Sequence, residues 1–269
     1  MEQTVVLITG ASSGIGRVCA EYLQGRGYKI YGASRTPQPA DLGWKSIQLD
    51  VNDDASVSEG IRHIVQSEGR LDVVVNCAGF GIAGAIEDTA IAEAKAQFET
   101  NFFGVLRVCK AALPAMRRQG SGLIINISSI AGVVSLPFQG FYSAGKFALE
   151  GMTEALRMEV QPYGIRIVLV QPGDFRTQFA ANRKLTEESQ NTSSYKERFG
   201  KALAVFEKEE SNGADPLAIA RLIERLIRKQ NPKLRYSVGP AFQRLVPALK
   251  QILPHKIYER IFMKYYNVR

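Results

Sequence analysis

Histidine is nearly missing from this chain: there are two in 269 residues, His63 and His255, together with three cysteines, Cys19, Cys77 and Cys109. His63 falls in a helical pattern expected at the surface, and His255 follows a proline near the end. No cysteine or acidic pair completes a ligand set around either, so no metal is assigned and imidazole chemistry is set aside. The odd number of cysteines, each among apolar neighbours, fits small core residues in a reducing compartment. No apolar run approaches the ~20 residues of a bilayer span. The opening "MEQTVVLITG" lacks the basic stretch, apolar run and cleavage site of a signal peptide, so the expectation is a cytoplasmic protein.

What is present is an ordinary globular composition, 45% apolar and 22% charged, at a length that fits one domain better than two. The net charge of +8 is uneven. Residues 215–269 hold 12 Lys and Arg against 3 acids, whereas residues 1–214 hold 22 against 23. The whole excess therefore belongs to the last fifth of the chain. Such a stretch can meet membrane phosphates or nucleic acid, or form a solvated face. No basic-aromatic stripe accompanies it, so no nucleic acid is assigned.

Short runs rich in Val and Ile recur at 5–10, 29–34, 46–51, 71–79, 122–129 and 165–173, with "KLRYSVG" as one last strand. Their apolar character throughout is that of strands covered on both faces. Helical patterns lie between them, one opening on an aspartate cap at "DASVSEG". The alternation implies an α/β fold: a single-domain, doubly wound parallel sheet with helices on both faces. After residue 174 the pattern changes. A polar stretch, about 175–214, is expected to form a helical flap over the substrate, and Asp215 with Pro216 opens a clear helix. About 241–269 form a basic amphipathic tail, in which Ile257/Ile261 and Tyr258/Phe262 pair at i,i+4.

"TGASSGIG", Thr9 to Gly16, sits between the first strand and the first helix, where glycine spacing carries meaning. Gly10 permits a tight turn, Gly14 lets backbone approach a pyrophosphate, and Gly16 allows close helix–strand packing. The helix N-terminus, with Ser12, Ser13 and Ile15 around it, offers N–H groups and a positive dipole end to phosphates. This is the phosphate loop of a Rossmann-type sheet. At the end of the second strand stand Ser34 and Arg35 rather than an acid. A guanidinium suits a 2′-phosphate, which favours NADP(H) over NAD(H).

With these residues and Tyr142-x-x-x-Lys146 in "FYSAGKFALE", the chain resembles the short-chain dehydrogenase/reductase family over roughly residues 3–230. Further motifs fall in the family's order. Asp50-Val51 resembles the pair that meets the adenine. "NCAG", with Asn76, Ala78 and Gly79, resembles the segment beside the cofactor. Asn101 stands where the family keeps a helix asparagine, and Ser129 lies thirteen residues before Tyr142. Pro172, Gly173 and Thr177 resemble the segment holding the nicotinamide carboxamide. "IYGASR", "LPFQGFYSAGKFALEG" and "LPHKIYERIF" further resemble the branch with 17β-hydroxysteroid and retinol dehydrogenases.

The resemblance implies an oxidoreductase in which Tyr142 exchanges the proton, Ser129 steadies the oxygen, Lys146 holds the nicotinamide ribose and Asn101 anchors a relay water. Ser128 competes with Ser129, and only the spacing favours the latter. Asn126 reads as a structural hydrogen-bonder. Spacing of i,i+4 puts Tyr142 and Lys146 on one helical face. The neighbouring ammonium is expected to lower the phenol from its ordinary value of about 10.

The implied substrate is a hydrophobic carbonyl or alcohol of steroid, retinoid or other lipid-like type. Phe138, Phe141, Phe175, Phe179 and Phe206 are candidates for an apolar cavity. Two other readings stand beside this one. One is an NADP(H)-binding sensor or scaffold without turnover. The other is a reductase of activated acyl or sugar intermediates, for which Arg183 and Lys184 are the clustered cations. The family resemblance implies a homo-oligomer, and the basic tail makes peripheral membrane contact a further expectation.

Overall fold

The computed structural model describes residues 3–191 and 193–269, apart from the side chain of residue 40. Its strands are β1 (Val5–Thr9), β2 (Lys29–Ser34), β3 (Lys45–Gln48), β4 (Val73–Asn76), β5 (Ile82–Ala83), β6 (Gly122–Ile127), β7 (Ile165–Pro172), β8 (Lys184–Leu185) and β9 (Arg235–Val238). Helices α1 (Gly14–Gly25), α2 (Asp54–Glu68), α3 (Ile91–Phe98), α4 (Gly104–Gln119) and α5 (Gly140–Val160) alternate with the first strands. Helices α6 (Glu187–Asn191), α7 (Lys196–Ser211), α8 (Leu217–Arg228), α9 (Ala241–Ile252) and α10 (His255–Tyr265) follow.

Seven strands form one parallel sheet in the order β3-β2-β1-β4-β6-β7-β9. Every residue of β1, β4 and β6 is buried, as the apolar runs require of strands sandwiched between helices. One face packs on α2, α4 and α5 around Leu7, Ile64, Met116 and Leu149. The other packs on α1 and α8 around Ile8, Leu23, Val168 and Ile223. Strand order reverses between β1 and β4, which opens a crevice beyond their C-terminal ends, the usual ligand position in such sheets.

The expected strands are all present, but most are shorter than the apolar runs suggest. The run 71–79 gives Val73–Asn76 and the run 46–51 gives Lys45–Gln48. The residues beyond their C-terminal ends, 77–79 and 49–51, leave the sheet to line the crevice. The cap of α2 is Asp53 rather than the expected Asp54; its carboxylate accepts from Ala55 N and Ser56 N. Asp215 does serve α8, accepting from Leu217 N at 2.9 Å, with Pro216 immediately before the helix. The stretch 175–214, which includes residue 192 outside the described residues, holds α6 and α7. It also holds β8, which pairs with β5 in a two-residue parallel ladder that no periodicity announces.

Candidate active site

A single cavity of about 620 Å³ begins at the glycine loop, passes over the C-terminal ends of β1, β4 and β6, and ends among α7, α9 and α10. Gly10 and Gly14 have φ of +69° and +53°, in the left-handed region that side chains rarely adopt. A Cβ on Gly10 would also lie 2.9 Å from the backbone of Ala78, and one on Gly16 would lie 2.4 Å from the Gly10 carbonyl oxygen. Gly14 is different: nothing lies nearer than Thr177 Cβ, at 3.8 Å from its notional Cβ. Its turn thus faces open cavity, and Ser13 at the N-cap makes no side-chain cap hydrogen bond. The first N–H groups of α1 are therefore left to an anionic ligand.

At the same end, Ser34 is buried and donates to the Thr36 carbonyl at 2.6 Å. Arg35 is exposed on the cavity rim and forms no ion pair among the described residues. Asp50, Val51, Ala78 and Gly79 complete the wall. An uncapped helix and an exposed guanidinium at this end fit the phosphates of a dinucleotide.

Asn76 departs from the sequence expectation. Its side chain turns away from the cavity into the sheet, donating to Asn126 Oδ1 at 2.8 Å, and Asn126 donates in turn to Thr153 Oγ1 at 2.9 Å. It supports the loop from beneath. In a strand buried on both faces, sequence alternation does not say which way a polar side chain points. The loop is instead held by Thr9, whose hydroxyl oxygen accepts from both Cys77 N and Ala78 N at 3.1 Å. Sequence reasoning passed over Thr9, although its place at the end of β1 was visible.

Asn101 sits in a wide turn of π type, Glu99–Phe103, between α3 and α4, a local departure often met at functional sites. Its side chain clamps one residue: Nδ2 donates to Phe80 O at 2.8 Å and Oδ1 accepts from Phe80 N at 3.1 Å. Both polar ends of the side chain are thereby engaged.

Ser129 and Tyr142 meet. The Ser129 hydroxyl lies at the Tyr142 phenol and pulls it downward, while it donates to the Pro172 carbonyl at 3.5 Å and its oxygen accepts from Ala131 N at 3.0 Å. Ser128 is buried beside Gly132 with its hydroxyl unpartnered. Geometry thus distinguishes the two serines: the one thirteen residues before Tyr142 is the one on the phenol. Lys146 is buried, donates to the Ile127 carbonyl at 2.8 Å, and lies 5.8 Å from the centroid of the Tyr142 ring.

The expected lowering of the phenol is not found. Burial pushes Tyr142 up to about 12, against a smaller downward pull from the Ser129 hydrogen bond. Burial also lowers Lys146 to about 8, so the amine gives up its proton more readily than an ordinary lysine. Spacing on a helix face brings the groups together but does not reveal that burial, not the amine, sets the direction of the phenol's shift. The protein alone holds Tyr142 as a proton donor. Cys77 lines the cavity, yet burial raises its thiol to about 12 and leaves it protonated.

Beyond Tyr142 the walls become apolar. Phe175, Phe179 and Phe206 line the cavity as expected, joined by Phe242, Phe262 and Tyr266 of the tail. Phe179 packs against Tyr142 with ring centroids 5.7 Å apart. Phe138 and Phe141 do not line it. Phe138 packs on Tyr195 and Phe199, in a left-handed conformation, and Phe141 is half-buried on α5. Three carboxylates interrupt the apolar wall: Asp174, Glu209 and Glu210. Arg183 pairs with Glu210, both almost fully buried, and Gln243 bridges to Asp174. The Tyr265 hydroxyl hydrogen-bonds Glu209. Burial raises both Asp174 and Glu210, and their acidic neighbours add to the rise. Sequence reasoning missed these acids because Asp174 precedes the 175–214 stretch while Glu209 and Glu210 stand near its end.

Arg183 is consequently committed to Glu210, and Lys184 stacks over Phe80 at 5.1 Å. The cationic pair expected for activated acyl or sugar groups is not assembled. Among the described residues, no group of His, Cys, Asp or Glu could hold a metal ion.

The sequence model of the family described as short chain dehydrogenase matches residues 4–188. A protein of Bacteroides thetaiotaomicron named 3-ketodihydrosphingosine reductase is 43% identical over 269 residues, covering all of both chains. A solved short-chain dehydrogenase from Streptomyces avermitilis superposes with a TM-score of 0.82 at 33% identity, covering 100% of this chain and 97% of the other. A structure titled ElxO with NADP bound superposes with a TM-score of 0.72 at 28% identity, covering 88% of this chain and 97% of the other.

Proposed function

The chain belongs to the short chain dehydrogenase family, and on that premise we propose that it uses NADP(H) to reduce the ketone of a long-chain amino ketone of the sphingoid type. The observation that carries this reading is the wall beyond Tyr142. It is apolar through Phe175, Phe179, Phe206 and Phe262, and it holds three carboxylates served by a single guanidinium. An apolar chain with an ammonium beside its ketone complements both features: the chain meets the aromatic wall and the ammonium supplies the missing positive charge. The B. thetaiotaomicron relative's name specifies a ketone of this class. A steroid or retinoid would satisfy the aromatic wall but leave the buried acids uncompensated.

NADP(H) is supported by Arg35, free on the rim, and by the NADP-bound relative of the same fold. When bound, the reduced dinucleotide supplies the hydride. The chain's own residues then deal with the carbonyl oxygen. Tyr142, protonated up to about 12, donates its proton to that oxygen as negative charge develops. Ser129, already on the phenol, donates a second hydrogen bond to the same oxygen. Lys146, at about 8, can return a proton toward Tyr142 near neutral pH. A connecting water at Asn101 is what the family resemblance implies for this position.

The test is NADPH oxidation by the purified chain with 3-ketodihydrosphingosine, the matching ketone lacking the amine, a steroid ketone and a retinal, each repeated with NADH. The reading expects preference for the amino ketone and for NADPH. Turnover of the steroid or retinal alone would overturn the substrate, and equal rates with NADH would overturn the cofactor. Cofactor binding without turnover of any carbonyl would favour a sensor.

A further inference from the structure

The last two helices present two apolar stripes, and only one of them is used by the fold. On α10 the inner stripe, Tyr258, Phe262 and Tyr266, packs on Val134 and Leu136 and against Phe206 of α7. Docking of the tail on the fold and the expected membrane contact are therefore not exclusive, because this side of the tail is docked and the opposite side is bare. On α9, Phe242, Leu245, Leu249 and Ile252 recur at helical spacing on the outer face, with exposures of 55%, 59%, 38% and 77%. On α10, Ile257, Ile261 and Tyr265 repeat every four residues and are likewise exposed. Phe242 and Tyr265 join the two stripes, with ring centroids 6.3 Å apart.

Two further observations say what this surface meets. Phe242, Ile261 and Tyr265 belong both to the outer stripe and to the cavity lining, so the apolar surface continues without a break from outside to the chamber beyond Tyr142. Around the stripe stand Arg244, Lys256, Arg260, Lys264 and Arg269, all exposed and none in an ion pair among the described residues. Glu259 is the one acid between 241 and 269, and its partner is His255 at 3.3 Å. An apolar stripe flanked by unpaired cations matches the interface of an anionic bilayer: the stripe enters the acyl boundary and the cations meet the phosphates. Among the described residues, no helix is long and apolar enough to cross a membrane.

We propose that α9 and α10 lie in the headgroup layer of an anionic membrane, with the cavity mouth open to the acyl chains, so that a long-chain substrate enters without crossing water. The docking stands on the tail alone; the delivery of substrate rests on the long-chain ketone reading above.

The experiment is co-sedimentation of the full chain with phosphatidylcholine vesicles, with and without phosphatidylglycerol, at low and high salt. Binding to the anionic vesicles at least tenfold above the neutral ones, lost at high salt, is expected. Ile252→Asp with Leu245→Asp, and separately Lys256→Glu with Arg260→Glu, should abolish pelleting. Their melting temperatures and NADPH affinity should match the parent, since none of these residues lines the cavity. No pelleting of the parent with either vesicle overturns the proposal. So does a concentration-dependent dimer that the Ile252/Leu245 variant dissociates, with no vesicle binding, because a second copy then covers the stripe. Turnover of a detergent-dispersed long-chain amino ketone, measured in parallel, reports on the substrate reading separately. Its loss with pelleting intact overturns delivery and leaves docking standing.

Discussion

The amine of Lys146 points at the Ile127 carbonyl, 2.8 Å away, and stands 5.8 Å from the Tyr142 ring, so that it neighbours the phenol without bonding to it. Burial decides the charge of both groups. The same burial that keeps Tyr142 protonated takes charge from Lys146, and each shift leaves a signature in the stability of the cofactor-free protein.

For Lys146 the folded value is about 8 against an ordinary 10.5. Between these values the unfolded chain holds the proton and the folded chain has released it, so stability rises as pH rises through that interval. Below it the amine is charged in both states and the fold carries the full cost, about 3 kcal/mol at the rate of ~1.4 kcal/mol per pH unit. Lys146→Met should abolish this rise. Tyr142 acts with the opposite sign and only above 10, where the unfolded phenol ionises first. Burial pushes up three thiols, Cys19, Cys77 and Cys109, which act with the opposite sign near pH 9 in both proteins. The difference between parent and variant in urea unfolding from pH 7 to about 9 therefore isolates the lysine; parallel curves for the two would contradict its burial as a charged group.

Removing the proton donor tests the chemistry directly. Tyr142→Phe deletes the hydroxyl while keeping the ring that packs on Phe179. It should lower kcat/KM for ketone reduction by roughly 10²–10⁴, the usual worth of a positioned acid. NADPH affinity, read by fluorescence quenching, should hardly change. Ser129→Ala should also lower the rate, while Ser128→Ala, beneath Gly132 and off the phenol, should leave it within a few-fold.

On the NADP(H) reading, cofactor choice should turn on Arg35, which forms no ion pair among the described residues. Arg35→Glu should raise KM for NADPH by roughly tenfold or more, since a charge-assisted bond is worth about 1.5–3 kcal/mol. KM for NADH should stay level or fall, because a carboxylate there suits a ribose 2′-hydroxyl. Equal losses for both cofactors would mean that Arg35 holds the loop rather than the phosphate.

Much of the fold was legible in the chain because its strands are buried on both faces and read as continuous apolar runs. The ladder of β5 and β8 was not, since two residues carry no period. The glycine loop and the Ser129, Tyr142 and Lys146 spacing were legible because each depends on distances along the chain within one or two elements. What escaped depends on direction or on burial. Asn76 sits in the expected place but faces Asn126, its register partner on the neighbouring strand, and alternation in a doubly covered strand is silent on that choice. The sign of the phenol's shift depends on how much water the tail and the 175–214 stretch remove, which helical spacing does not contain. The acids opposite Tyr142 become neighbours only when α7 folds back onto the segment after β7.

Those acids make the most discriminating prediction. Asp174 and Glu210 are already engaged by Gln243 and Arg183, whereas Glu209 holds only a tyrosine hydroxyl and is the carboxylate best able to accept a new cation. Glu209→Gln keeps the shape and removes one negative charge. If the ammonium of the substrate rests there, KM for 3-ketodihydrosphingosine should rise by roughly tenfold, in line with one charge-assisted bond of about 1.5–3 kcal/mol. The matching ketone without the amine should be reduced as well as before, or better, because the wall has become less polar. Steady-state kinetics on the two ketones with parent and variant form a double cycle whose coupling term isolates the amine–carboxylate contact. A KM that rises equally for both would assign Glu209 to shaping the wall through Tyr265. The preference for an amino ketone would then have to come from Asp174 and Glu210, whose affinity for protons is raised first by burial and then by their acidic neighbours.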